Sequence, residues 1–186
     1  GIDVNEYRPT LNPAILTKYQ INNDGTIGAA LWDAGQVLQG TAAVGRSVMT
    51  YKSGALISFA AANFTPADLG VTTETRKTEV VGFIRGEGAY NKDNWKQGDT
   101  FRSNPITVGT PTAYFRDNFD ATTPNAYDTF RANNLRTSAN GKRIVLAGAN
   151  GGQLHAFKAS DGTEAWSFVP PNLLPNGKTL DMDLKR

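Results

Sequence analysis

The run Gly148–Pro171, GANGGQLHAFKASDGTEAWSFVPP, restricts the fold of this chain more than any other stretch. It alternates like a strand, turns at Asp161-Gly162, alternates again and closes on Trp166. Period-two alternation broken by Asp-Gly is the pattern of an antiparallel hairpin. The preceding Ile144–Ala147 is continuously apolar, which predicts a strand buried on both faces. Asn150-Gly151-Gly152 and Ser160-Asp161-Gly162-Thr163 supply the turns, with Leu154–Phe157 and Glu164–Val169 as the strands around them.

Two other regions follow the same pattern. In AILTKYQINNDGTIGAALWDAG, Ile15, Thr17, Tyr19 and Ile21 share one parity, as a strand with one buried face requires. Asn23-Asp24-Gly25 then turns the chain, and the return run ends at Trp32. In RSVMTYKSGALISF, Val48 and Thr50 lead through Lys52-Ser53-Gly54 to Leu56 and Phe59. The units echo one another: Tyr19, Asp24-Gly25-Thr26 and Trp32 parallel Phe157, Asp161-Gly162-Thr163 and Trp166. Recurrent antiparallel hairpins point to propeller blades, although two or three copies are too few for a ring of roughly 4–8.

The expected fold is therefore mainly all-β: a partial β-propeller of antiparallel blades with one or two short inserted helices. Blade-like hairpins are expected over about 14–60 and 104–170 within a single domain spanning 1–186. The helical and loop insertion covers about 65–102. Thr65-Pro66 is a helix-start signal, Val80/Ile84 and Lys77/Val81 have helical spacing, and Gly86 fits the stop. Tyr90–Arg102 reads as a polar loop, and Asn104–Phe115 as a strand pair. Residues 117–140 read as irregular, with helical character from Ala126 to Asn134.

Composition removes several functions. No cysteine is present, so disulfides, cysteine nucleophiles and thiolate metal sites are excluded. His155 is the only histidine, which excludes a multi-histidine zinc site; its strand position predicts a hydrogen-bonded core residue. The 19 basic and 17 acidic side chains leave a net charge of +2 with no Lys/Arg run, so no nucleic-acid partner is expected. No window is apolar enough to span a membrane as a helix. The start at Gly1 reads as that of a processed or excised piece.

RIVLAGANGGQLHAFKASDGTEAWSFVPPNLLP resembles the propeller domain of the PilY-type proteins of type IV pili. Gly148-Ala149-Asn150, Gly152, Leu154–Phe157, Gly162, Glu164, Trp166, Phe168 and Pro170 carry that resemblance. LWDAGQVL (Leu31–Leu38), VVGFIRGEG (Val80–Gly88) and DTFRSNPITVGTPTAYF (Asp99–Phe115) resemble further family segments in the expected order. Gly151 and Glu87 depart from the family's usual Asp at both positions. The resemblance implies the N-terminal blades of such a propeller, with the remainder supplied by another chain or by copies of this one. It further implies a non-enzymatic role in pilus assembly, tip adhesion or surface contact. Minor pilins, the pilus tip, or a host or abiotic surface would be partners, and the location would be extracellular, at the cell surface. Calcium belongs to a family loop in the rest of such propellers, and no cofactor is expected in this chain.

A fragment of a quinoprotein-type dehydrogenase is one alternative. Its docking pattern Ala-x-Asp-x-x-Thr-Gly-x-x-x-Trp meets Ala156, Gly162 and Trp166 here, but Lys158 stands at the Asp position and Asp161 at the Thr position. Trp32, Ala156, Gly162 and Trp166 are accordingly expected to build blades, and no catalytic or cofactor-binding residue is expected. A carbohydrate-binding module is the other alternative, with Trp95 as an exposed aromatic in a polar loop. Arg85 and Glu87 could serve surface recognition, although helix termination at Gly86 explains Arg85-Gly86-Glu87 better. Asp93 and Asp99 are the nearest metal candidates, but they lack Asp-x-Asp-x-Asn-Gly spacing, and Lys92 and Lys96 dilute their charge.

Overall fold

A computed structural model of the chain describes residues 16–91, 94–100, 103–112 and 126–176. Among these residues the fold is mostly β, with two sheets and three α-helices. β1 (Thr17–Ile21) and β2 (Ile27–Asp33) form a separate antiparallel pair. The other six strands make one sheet: β3 (Val48–Lys52), β4 (Ala55–Ser58), β5 (Ile106–Val108), β6 (Ile144–Gly148), β7 (Leu154–Lys158) and β8 (Glu164–Val169). Their order is β4-β3-β8-β7-β6-β5.

Two hairpins lie within 14–60 as expected, of which β1–β2 stands apart and β3–β4 joins the sheet built by 106–169. Against expectation that sheet is not wholly antiparallel, because β3 runs parallel to β8, with Thr50 opposite Val169. A backbone bond from Ser167 N to Ser47 O (2.9 Å) and one from Thr50 Oγ1 to Val169 O (2.7 Å) hold this join. The return strand ends at Asp33, one residue past the expected Trp32, and is followed by a helix not expected there, α1 (Ala34–Gly40). Asp33 caps it, its Oδ1 accepting from Gln36 N at 2.8 Å, which satisfies an otherwise orphaned amide.

The inserted helix is α2 (Glu74–Arg85), capped by Thr73 and ended by Gly86 in the left-handed region at φ 81°. Thr65-Pro66 starts a short 3-10 turn over Pro66–Leu69 instead, closed by a reciprocal Thr65/Asp68 box. α3 (Ala126–Asn133) lies where helical character was expected, and residues 113–115 of the Asn104–Phe115 pair fall outside the described residues.

One face of the six-stranded sheet is buried across its four central strands. Val48 and Thr50 of β3, Ser167 and Val169 of β8, His155 and Phe157 of β7, and Val145 and Ala147 of β6 all point into it. Two apolar clusters share this face. One gathers Val48, Phe59, Phe64, Val80, Val81, Ile84 and Val169 beneath α2. The other gathers Leu16, Ala34, Leu38, Val145, Ala147 and Phe157 beneath α1. The opposite face stays partly open, so Ile144 and Leu146 are half-buried rather than enclosed on both sides. In β1 the burial runs by position along the strand rather than by parity: Leu16 and Thr17 are buried, whereas Ile21 is 55% exposed at the hairpin's far end.

Candidate functional site

Between the two apolar clusters lies a polar network that is almost wholly enclosed. Arg46 grips Glu164 twice, Nε to Oε2 at 2.8 Å and Nη2 to Oε1 at 2.9 Å, with both side chains at most 2% exposed. Such a bidentate fork fits a carboxylate better than a lysine could. The rest of the guanidinium donates to the carbonyls of Ile84 (3.1 Å) and Arg85 (2.9 Å) and to Gln153 Oε1 (3.2 Å). His155 Nδ1 lies 2.8 Å from Glu164 Oε1, and Ser167 Oγ donates to Gln153 Oε1 at 3.1 Å. His155 is fully buried, and its ring lies nearly parallel to that of Phe157 at 5.5 Å between centroids.

Burial pushes the His155 imidazole below its ordinary pKa, although Glu164 pulls it the other way. The imidazole is therefore neutral at pH 7, and its Nδ1–H donates to the carboxylate. For Glu164 burial acts upward, but the hydrogen bonds from His155 and Arg46 together outweigh it and hold the carboxyl at about 2. The network joins the segment leading into β3 with β7, β8 and the end of α2, and it has no solvent-facing reactive atom. It is a clamp within the core, formed from residues far apart in the chain.

The two Asp-Gly-Thr turns adopt the same local geometry. Asp24 Oδ1 accepts from Thr26 N (3.0 Å) and Oγ1 (2.7 Å). Asp161 Oδ1 accepts from Thr163 N (2.9 Å) and Oγ1 (2.6 Å). The threonine bonds hold both carboxyls below their usual range. Both glycines take positive φ, 83° at Gly25 and 75° at Gly162. They differ in surroundings. A Cβ on Gly162 would sit 2.9 Å from Cδ2 and Cε3 of Trp32, whereas one on Gly25 would meet nothing within 4 Å. The tryptophan of the first unit therefore packs onto the glycine of the last one's turn. Gly162→Ala is expected to destabilise by about 2–4 kcal/mol, from backbone strain and overpacking, against about 1 kcal/mol for Gly25→Ala from strain alone. Equal losses for the two variants in urea unfolding would remove the Trp32 contact from this account.

The other sequence-selected residues fall as follows. Ala156 is fully buried on the sheet face that carries the half-buried Trp166 beside it. Trp95 is half-buried rather than exposed: a Cβ on Gly35 would come 2.6 Å from its Cζ2 and Cη2, so the indole lies on α1. Arg85 is likewise engaged, donating to the carbonyls of Phe59 (3.3 Å) and Ala43 (3.1 Å), with Glu87 3.8 Å away. The helix stop at Gly86 explains this triplet. Asp99 is buried, and Asn150 donates to it through its backbone N (2.7 Å) and its Nδ2 (3.3 Å). Asp93 lies outside the described residues. Among the described residues, no group of three or more His, Asp or Glu could hold a metal ion.

The six-stranded sheet is most exposed at its two edge strands, β4 and β5. Tyr51 of β3 faces outward at 49% exposure, opposite Leu56 of β4 at 60%. Ile106 of β5 is 63% exposed and begins the row Ile106, Leu146, Ala156, Trp166. β4 and β5 each pair on one side only among the described strands.

No helix among the described residues is long and apolar enough to cross a membrane. No protein-family profile matches the chain, and no solved structure matches it. A curated protein of Xylella fastidiosa, described as a type IV pilus biogenesis factor PilY1 homolog, is 32% identical over 122 residues. The match takes in 61% of this chain and 10% of the relative's length. Over that stretch the chain is similar to a protein of type IV pilus biogenesis.

Proposed function

We propose that this chain is a PilY-like component of a type IV pilus that works by binding rather than by catalysis. The similarity to the PilY1 homolog carries this reading. In it the β6-β7-β8 meander is the centre of one propeller blade, and β1–β2 belongs to a neighbouring one. Among the described residues β4 and β5 are open edges that carry the exposed Leu56 and Ile106, which supports a role in assembly, because unpaired edges recruit further strands. The partner is the rest of a PilY-like propeller or a second copy, and the assembly acts at the cell surface with minor pilins, at the pilus tip or against a host or abiotic surface. Burial of His155, the chain's only histidine, in a neutral hydrogen-bonded role supports a non-enzymatic reading.

Two measurements test it. Disrupting the reading frame in the source organism is expected to reduce surface pili or pilus-driven motility; unchanged pili and motility would overturn the pilus assignment. Light scattering at micromolar concentration is expected to show a species larger than one chain, reduced towards the monomer by Leu56→Lys or Ile106→Lys. A monodisperse wild-type monomer would sink the assembly argument.

A further inference from the structure

A half-open cavity of about 250 Å³ lies between the β1–β2 hairpin and the β5–β6 side of the sheet. Leu16, Val145 and Ala159 give it an apolar floor. Tyr19 and Trp32 add aromatic wall, and Lys18 and Arg143 bring positive charge. No Asp or Glu lines it. Asp33, the nearest acid on this hairpin, is already engaged: Oδ2 accepts from Thr17 Oγ1 at 3.1 Å and Oδ1 caps α1.

The polar groups here are unevenly satisfied. Lys18 Nζ donates to Ala159 O at 2.8 Å, which leaves further N–H donors on the ammonium. Arg143 Nε is enclosed and has no hydrogen-bond partner. Buried donors are normally paired, so this enclosed nitrogen leaves the Arg143 head unsatisfied from within the protein, and a ligand in the cavity would meet the guanidinium through its terminal nitrogens rather than Nε. Thr107 and Ser138, each with a hydroxyl, line the same space. Cation, hydroxyl and aromatic surfaces thus converge on one volume without a protein anion to neutralise them. That is the composition of a small-ligand site, apolar in area with a few oriented polar groups.

We infer that this cavity binds a single-ring sugar acid, such as a terminal uronate of an acidic glycan. Its carboxylate pairs with Arg143 as a two-pronged fork, assisted by Lys18. Its hydroxyls bond Thr107 and Ser138, and the apolar face of its ring rests on Tyr19 and Trp32. The volume falls below the roughly 300–1,000 Å³ of sites for drug-sized ligands, so one ring fits and a chain enters only by its end. The inference does not depend on the pilus reading: a soluble binder with no pilus role would keep this site.

The test titrates the full chain with D-glucuronate, D-glucose and inorganic phosphate, followed calorimetrically or by ligand-observed NMR. Glucuronate is expected to bind with a Kd of about 1 mM or tighter, and glucose and phosphate each about tenfold or more weakly. Arg143→Gln is expected to weaken glucuronate about tenfold with an unchanged melting temperature, and Arg143→Lys to recover part of the loss. If Arg143→Gln itself melts early, Lys18→Gln and Tyr19→Ala carry the comparison. No glucuronate binding, equal binding of glucose, equal binding of phosphate, or unaltered glucuronate binding in the cation variants would each overturn the assignment.

Discussion

Arg46→Met lowers the stability of the chain by about 3–5 kcal/mol in urea unfolding at pH 7, the cost of leaving a buried carboxylate without its cation. The prediction follows from the enclosure of the pair and from the five acceptors that Arg46 serves at once: Glu164, Ile84, Arg85, Gln153 and Ser167. Arg46→Met with Glu164→Gln is expected to regain at least half of the loss, because no charge then remains buried and the amide oxygen still accepts from His155. A single variant that loses less than about 1 kcal/mol would place the pair outside the stabilising core. So would a double variant that merely adds two penalties.

The same clamp sets the acid response. Glu164 titrates near 2 in the fold against 4.5 in its unperturbed state, so its contribution is complete above the higher value and is lost as pH falls towards the lower. His155 is also held below its unperturbed 6.5, so the unfolded chain takes up that proton first and stability begins to decline below that pH. Wild-type stability is therefore expected to fall on acidification in two stages. Arg46→Met should flatten the lower stage, where Glu164 no longer has its paired cation.

Phe59→Ala and Phe157→Ala are each expected to cost about 3–5 kcal/mol, the usual range for removing an enclosed aromatic side chain. Both are fully buried, yet they belong to different clusters, Phe59 under α2 and Phe157 under α1. Since the clusters share one sheet face and are bridged by Arg46, Glu164 and His155, both variants should melt in one cooperative transition. A second transition in either variant, seen by calorimetry, would divide the chain into two units and contradict a single domain.

What was legible in the sequence was local. The two Asp-Gly-Thr turns, the β6-β7-β8 meander and α2 with its Gly86 stop each depend on residues close in the chain, and the structure has them. α1 was missed because it is only seven residues long and its signal, Asp33 as cap, doubled as the end of a strand. Trp95 looked exposed because its neighbours in sequence are polar; its neighbour in space is Gly35. The β3–β8 pairing and the Arg46 clamp had no local signature. Arg46 and Glu164 are 118 positions apart, and nothing in Gly45-Arg46-Ser47 marks the arginine as a core residue. His155 alone gave a hint, as a lone histidine in a strand that had to find its hydrogen bond from within, which Nδ1 does with Glu164.

The parallel join of β3 to β8 has a consequence for the order of events in folding. Thr50 must wait for Val169, 119 residues later, before its strand acquires an inner neighbour. Closing so long a loop is slow, and non-local pairings of this kind lower folding rates. During synthesis the β3–β4 hairpin is therefore present well before its place in the sheet exists, with Val48 and Phe59 temporarily uncovered. Any factor that shields an early hairpin would act in that interval, and the chain's yield would depend on how quickly its second half arrives.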